Sequence, residues 1–476
     1  MKKTTTKKTK GLLSTALLTG LCIFSSPGSA DDQATDQATW DARALEMLKT
    51  SVAMRTAEGF GLVPELAEYL KTQFVQAGFA AEDVRLLPIE KTAALVVRYK
   101  GNGSSGKKPI LLSAHMDVVD ALPEDWERDP FTLVEENGYY FGRGVSDNKF
   151  GMSVLSATLM RLKSEGFVPN RDIILALSGD EESTMFTTSQ LATTYRDLID
   201  AEFALVADGG GGQLDEDGVA IAFSVDSAEK TYATFEMTSH NPGGHSSLPR
   251  TDNAIVDLST AILKINAFRF PVEASPLTAS YFGQTAGLVG GDMGAAMKTF
   301  ASDPDDSDAV LLLRSEPQYA GSTGTTCVTT MLKGGHAENA LPQSATATVN
   351  CRIFPGTGVE NTLNTLKGVV ANDEITWTTL DAPIESPASP LRDDVFDAIT
   401  HAVQINYPGL PVIPHMASGA SDALHFRAVG IPSYTFSGIF MKASDEFAHG
   451  LNERVPVATL PVAMNMWYSI LTELTE

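Results

Sequence analysis

Three short runs, residues 110–114, 172–177 and 203–206, are apolar almost throughout, and each breaks off within a few residues into acid. A strand with one wet face alternates apolar and polar residues. A run without alternation has to be covered on both sides, which is the habit of central strands in a parallel sheet flanked by helices. A helical stretch at 152–163 lies between the first two runs, and this alternation of buried strand and helix argues for an α/β fold with a mostly parallel sheet. The runs end in His115-Met116-Asp117, in Gly179-Asp180-Glu181-Glu182 and in Asp208-Gly209-Gly210. In open α/β sheets, ligands bind outside the carboxyl ends of the strands.

The rest of the chain divides around this sheet. Residues 41–56 and 62–77 have helical spacing and are broken by Gly59 and Gly61, and 93–99 reads as a strand. Near residue 229 the pattern changes. Strand 232–238, helix 253–265, strands 325–332 and 345–353, helix 362–370 and strand 375–380 follow in the order β-α-β-β-α-β of a ferredoxin-like unit. A stretch from 267 to 323, rich in Gly, Ser and Asp, interrupts that unit and has no reading of its own. After 384 the α/β pattern returns, with a strand at 431–436 and a closing helix at 457–474. The expected division is a removable segment at 1–30, a catalytic domain from 31–228 and 384–476, and an inserted domain at 229–383. A length of 476 residues suits two or three domains.

Residues 1–10 carry five lysines, an apolar run follows from Leu12 to about Phe24, and Pro27-Gly28-Ser29-Ala30 precedes Asp31-Asp32. This is the layout of a secretory signal, with an apolar part too short to span a bilayer. The expectation is a secreted or periplasmic protein with no membrane span in its mature form. Leu21, which is not small, precedes Cys22, so Cys22 is read as part of the removed segment and not as a lipid anchor. Removing five lysines and no acid takes the net charge from −24 to −29. So acidic a chain repels phosphate backbones, and a nucleic-acid partner is not expected. Cys327 and Cys351 remain. They are either a disulfide or two core thiols; the strands that carry them flank residues 334–342 and should pair as a hairpin, which makes a bond geometrically possible.

Two motifs mislead. Residues 101–108 match GxGxxG and nearly match GxxxxGK[ST], yet Pro109 and a buried strand follow where a phosphate-binding helix would have to start. A turn is the better reading. No GxSxG occurs, and Gly419-Ala420-Ser421-Asp422-Ala423 lacks the final glycine of a nucleophile elbow.

The chemistry therefore rests on the acids and histidines at the strand ends, joined by Gly142-Arg143-Gly144-Val145-Ser146-Asp147-Asn148-Lys149 and by Ala448-His449-Gly450-Leu451-Asn452-Glu453. Singly, each is ordinary: a helix cap, a solvated loop acid, a satisfied histidine. Together, several carboxylates at one sheet edge repel one another unless a cation sits among them. Mixed His and carboxylate ligands suit zinc or a similar divalent ion.

These motifs, in this order and with this spacing from about residue 41 to 476, resemble the M20 metallopeptidases, a family of co-catalytic zinc aminoacylases, carboxypeptidases and succinyl-diaminopimelate desuccinylases. Residues 436–440 and 449–453 look most like the larger carboxypeptidase S-like members. The resemblance implies a zinc-exopeptidase-like catalytic domain, a ferredoxin-like lid and two divalent ions, most often Zn2+, with Co2+ or Mn2+ compatible with the same ligands. His115 and Asp208 would hold one ion, Glu182 and His449 the other, and Asp147 would bridge them. Asp117 would orient His115 through its second nitrogen, and Glu181 would be the general base. His245, in Gly243-Gly244-His245-Ser246-Ser247-Leu248-Pro249, would stabilise the oxyanion. Asn339, Arg352 and the loop at Gly419 would bind substrate, with Arg352 offering a two-pronged donor to a carboxylate. Phe150 stands where many members carry glycine. The implied substrates are small peptides, by a carboxypeptidase or dipeptidase activity, or N-acyl amino acids, by an aminoacylase activity. The other class of reading, a catalytically silent binding protein, has the full set of ligands and the base against it. Many members form a homodimer through the inserted domain and larger members can differ, so the resemblance leaves a homodimer open.

Overall fold

The computed structural model describes residues 1–6 and 30–476, so most of the expected signal segment lies outside the described residues. The apolar runs form adjacent strands of a ten-stranded sheet. Ile173–Ser178, Ile110–His115, Phe203–Val206 and Ser433–Thr435 lie side by side in that order, all parallel. Antiparallel strands flank them. Val84–Ile89 and Thr92–Tyr99 extend one side, and Ala220–Glu229 joins Ser433–Thr435 on the other. Gly211–Leu214, Phe440–Lys442 and Val412–Ala417 complete that side, Val412–Ala417 pairing with Ala220–Glu229 alone.

Side chains of the central strands leave alternately to the two faces. Ile110, Leu112, Ile173, Leu175 and Leu177 pack under helices Ala30–Val52, Lys149–Ser164 and Thr459–Thr475, in a core that also holds Trp467 stacked 4.6 Å from Phe436. Leu111, Ile174 and Ala176 face Leu191 and Phe426 of the short helices Phe186–Ala192 and Ala423–Ala428 on the other side. Each fully buried Leu or Ile contributes about 1.5–3 kcal/mol by leaving water, so runs covered on both faces are fixed firmly. Phe150, the departure noted above, is buried in the first turn of Lys149–Ser164 and belongs to the larger core. The glycine-rich stretch at 101–108 is a loop between two strands.

The second sheet has the order Thr326–Gly334, Ser344–Ile353, Thr231–His240, Thr376–Leu380, antiparallel throughout, with helices Ala254–Ala267 and Val359–Val370 on one face. This is the ferredoxin-like topology. Cys327 and Cys351 stand directly opposite each other in adjacent strands and are joined in a disulfide.

Residues 267–323, unread in the sequence, are mostly helical: Pro276–Val289, Gly291–Ser302, Ser307–Ser315 and Pro317–Ala320. They close around their own core of Phe282, Met297, Phe300 and Leu313. Ser275 and Thr278 form a capping box at the first start, and the Asp306 side chain accepts from the Ala309 N–H at the third. Gly294 is a packing residue, because a Cβ there would meet the Ala286 carbonyl oxygen at 2.3 Å. Gly294, which looks like loop in the sequence, thus lets two helices touch.

Candidate metal centre

Register brings the site together. His115 pairs with Ser178, and Ser113 pairs with Val206, so His115, the 179–182 turn and Asp208 leave the sheet at the same edge. Asp147 arrives just ahead of helix Lys149–Ser164, and His449 from the loop before Arg454–Pro456.

Asp147 is the hub. Its Oδ1 lies 2.8 Å from His115 Nε2, and its Oδ2 lies 3.0 Å from His449 Nε2. Glu182 Oε2 is 2.9 Å from the same His449 nitrogen, and Asp208 Oδ2 is 4.0 Å from His115 Nε2. Single ligand atoms of His115, Asp147 and Glu182 all lie within 4.8 Å of one another, a group that could hold a metal ion.

Asp117 meets both His115 Nδ1 and the 181–182 turn. The nearer partner of His115 Nδ1 is the main-chain oxygen of Asp117, at 3.0 Å, with the carboxylate at 3.5 Å. The carboxylate instead accepts the backbone N–H groups of Glu181, at 3.1 Å, and Glu182, at 3.0 Å. Asp117 thus fixes the imidazole with its main chain and the 181–182 turn with its side chain, because the turn folds over it. Among the described residues no hydrogen bond occupies the Glu181 carboxylate, although Glu181 is only 8% exposed. Its backbone, by contrast, is anchored by the Asp117 carboxylate.

The electrostatics are those of a crowded acidic site. Burial, with the charges of Asp208, Asp422 and Glu182, pushes the Glu181 carboxyl up to about 10 against the pull of His115. Burial and the charge of Asp147 push Asp208 up to about 7. Hydrogen bonds to Asp147 and Glu182 push His449 up to about 10. Burial alone would lower His115, but Asp117 and Asp147 hold it well above the usual imidazole range. Burial alone would raise Asp147, and its two histidines hold it below the usual carboxylate range. Two imidazoles and three carboxylates, arranged so that each oxygen of one aspartate faces a different histidine, make a donor set that fits a pair of divalent ions.

Three supports carry no assignment from the sequence. Glu453, fully buried, accepts from Arg143 Nη1 at 2.8 Å, from the Gly144, Ser146 and Asp147 N–H groups, and from Ser146 Oγ. Arg143 in turn donates to the His449 and Gly450 carbonyls at 3.2 Å, which steadies His449 at φ +62°, a left-handed conformation that non-glycine residues adopt at a cost of about 1–2 kcal/mol. Asp422 is buried behind the cluster, accepting from Ser178 Oγ and, at 2.5 Å, from Thr188 Oγ1, and burial pushes it up to about 6. Asp226 accepts from His415 Nδ1 at 2.6 Å. Glu453 and Arg143 lay in motifs singled out by sequence, and Asp422 only in one set aside as a nucleophile elbow; Asp226 and His415 lay in none.

The substrate-side residues fall in two places. Arg352 Nη1 donates to the Ser418 carbonyl at 2.8 Å, with the guanidinium 4.7 Å from the Tyr232 ring centroid. This brings Arg352 to the exposed Gly419, in the loop that runs on to Asp422. His245 and Asn339 are brought to each other: His245 pairs with Ala340, and the Ser246 N–H donates to the Asn339 carbonyl at 3.0 Å. Among the described residues no hydrogen bond links either of them to the Asp147 cluster, and His245 is exposed.

Comparison with known proteins agrees with this layout. The sequence model of peptidase family M20/M25/M40 matches residues 111–473. The N-fatty-acyl-amino acid synthase/hydrolase PM20D1 of Xenopus tropicalis is 27% identical over 425 residues, 86% of this chain and 80% of the relative. Two solved structures share the fold: an M20 family metallo-carboxypeptidase from Sulfolobus solfataricus and a dinuclear metal-binding M20 peptidase from Bacillus subtilis. The first has a TM-score of 0.64 at 19% identity, covering 90% of this chain and 98% of its own. The second has a TM-score of 0.61 at 12% identity, covering 92% of this chain and 99% of its own. Fold, sequence and relatives agree, and the chain is an enzyme belonging to peptidase family M20/M25/M40.

Proposed function

We propose that this enzyme is an exported, two-metal amide hydrolase of carboxypeptidase or dipeptidase type, cleaving an amide next to a free carboxylate. The single observation that carries the reading is Asp147 facing His115 with one oxygen and His449 with the other, beside the unengaged Glu181. His115 and Asp208 would hold one divalent ion, Glu182 and His449 the other, with Asp147 shared. When bound, such ions supply Lewis acidity to the scissile carbonyl and to the attacking water. Glu181 would take the proton from the attacking water and hand it to the leaving nitrogen, the charge of the bound ions drawing its carboxyl down from its raised metal-free position. Asp117 keeps Glu181 in place by holding its backbone, so the base is positioned without its carboxylate being used up. Arg352 and the 418–422 loop meet the substrate's free carboxylate.

Among the described residues no hydrogen bond ties His245 or Asn339 to the cluster within one chain. We assign them to oxyanion and substrate contacts supplied through a homodimer of the 229–383 unit, whose edge strand Thr326–Gly334 exposes Val328, Met331 and Leu332. Export is supported by the basic and apolar start of the chain and by a disulfide, which persists in oxidising compartments. No helix among the described residues is long and apolar enough to cross a membrane.

Chelator-sensitive hydrolysis of dipeptides and N-acyl amino acids by the zinc-loaded protein is the test. Glu181→Gln is expected to lower kcat by roughly 10²–10⁴-fold while zinc content stays unchanged. Loss of zinc in that variant would make Glu181 a ligand and not the base.

A further inference from the structure

A cavity of about 470 Å³ opens directly off the cluster, with Asp147 and Asp208 in its wall and Asp226 and His415 farther along it. We propose that this cavity holds the group on the carbonyl side of the scissile amide, and that it takes an aminoacyl residue whose α-ammonium is met by Asp226, in preference to a long acyl chain. The proposal rests on the amide-hydrolase reading above and specifies what that hydrolase takes on the carbonyl side of the bond.

Asp226 is only 6% exposed. Its Oδ1 accepts from His415 Nδ1 at 2.6 Å, and among the described residues nothing donates to its Oδ2. That free oxygen lies over Gly209, where a Cβ would sit 3.2 Å from it. Gly209 directly follows Asp208, and Asp208, Gly209 and Asp226 all line this cavity, so the free acceptor and the metal cluster face the same space. The floor beside it is bare main chain. Gly210 has φ +51°, and a Cβ there would meet the carbonyl oxygens of Ser224 and Thr435 at 2.8 Å. A side chain at that position is excluded because the main chain of the sheet already fills the space beside it.

The pair is built to stay as it is. Asp226 sits in strand Ala220–Glu229, and His415 in its neighbour Val412–Ala417. From the helical insertion, Tyr281 packs its ring 5.1 Å from the His415 ring, closing the imidazole's outer side. The insertion therefore packs against a residue that lines the cavity. A hydrocarbon chain laid against Asp226 would strip water from a carboxylate oxygen and give it no donor in return, which is strongly unfavourable. An ammonium fills that acceptor with a charge-assisted hydrogen bond. Ile439 and Phe447 in the same cavity leave apolar surface for the side chain of the residue bound there.

The test uses binding as well as turnover. Calorimetry on zinc-loaded Glu181→Gln compares Ala-Leu, N-acetyl-Ala-Leu and N-lauroyl-leucine. Ala-Leu is expected to bind at least about tenfold more tightly than either acylated ligand. Adding Asp226→Asn should remove about tenfold from Ala-Leu alone, with zinc content unchanged. Tighter or equal binding of N-lauroyl-leucine overturns the proposal, as does an equal loss for all three ligands or no binding by any. Should Asp226→Asn not fold, the wild-type turnover ratio of Ala-Leu to N-lauroyl-leucine decides alone, and a ratio of one or less overturns it. Binding preference without turnover in the wild type would sink the hydrolase reading and leave this one; turnover with the reverse preference would sink only this one.

Discussion

Arg143 and Glu453, 310 residues apart in sequence, meet at 2.8 Å with side chains 3% and 0% exposed. Around that contact the 142–147 segment, which presents Asp147, is tied to the 449–453 segment, which presents His449. The pair acts at one remove from the metal centre. It sets the distance between two groups proposed as ligands and touches neither substrate nor ion.

Glu453→Gln preserves shape and removes the charge. Arg143 is then left buried with no countercharge, which costs about 3–5 kcal/mol of stability. Loosening the two segments should also weaken zinc binding by roughly 10–100-fold, the usual penalty for removing a partner that orients ligands. Urea unfolding and a zinc competition titration read the two effects separately. Wild-type zinc affinity in this variant would mean that the two loops hold their geometry without the pair.

What the sequence made legible follows from burial. Residues 110–114, 172–177 and 203–206 are covered on both faces, so their composition alone declares them, and their carboxyl ends point to the site. Val412–Ala417 escapes because it pairs with only one neighbour and so tolerates Pro414, which together with His415 breaks the apolar run. The four helices of 267–323 escape because glycines such as Gly294, there for close helix contact, read as loop. Of the site, the residues in compact motifs were legible. Asp226 with His415 was not, since 189 residues separate them and neither lies in a motif. The two jobs of Asp117 depend on how the 179–182 turn folds back, which spacing does not encode.

Lys230 gives the fold a pH dependence whose sign is fixed. It is 3% exposed, donates to the Gly321 and Gly324 carbonyls at 3.0 and 2.7 Å, and burial pulls it down to about 8 from 10.5. Between about pH 8 and 10.5 the unfolded chain holds a proton that the folded chain has released, so stability rises with pH across that window. The rise is on the order of 3 kcal/mol. Lys230→Met should lose this slope, apart from any constant offset from its missing hydrogen bonds. Chemical denaturation of both proteins from pH 7 to 11 checks it; parallel curves would mean that Lys230 keeps an ordinary affinity for its proton in the fold.

The disulfide should stabilise the second sheet and leave the metal centre alone. Cys327 and Cys351 are 24 residues apart, and closing a loop of that size removes unfolded-state freedom worth about 3 kcal/mol in the chain-entropy account. Both cysteines lie in the four-stranded sheet, whose core of Phe235, Met237 and Val349 is separate from the cores around Ile110–His115. Replacing both by alanine should therefore speed backbone hydrogen exchange in Thr326–Gly334 and Ser344–Ile353 while exchange in Ile110–His115 and zinc affinity stay at wild-type values. Uniformly faster exchange would show instead that the two sheets unfold as one cooperative unit, and the disulfide would then be stabilising the catalytic half as well.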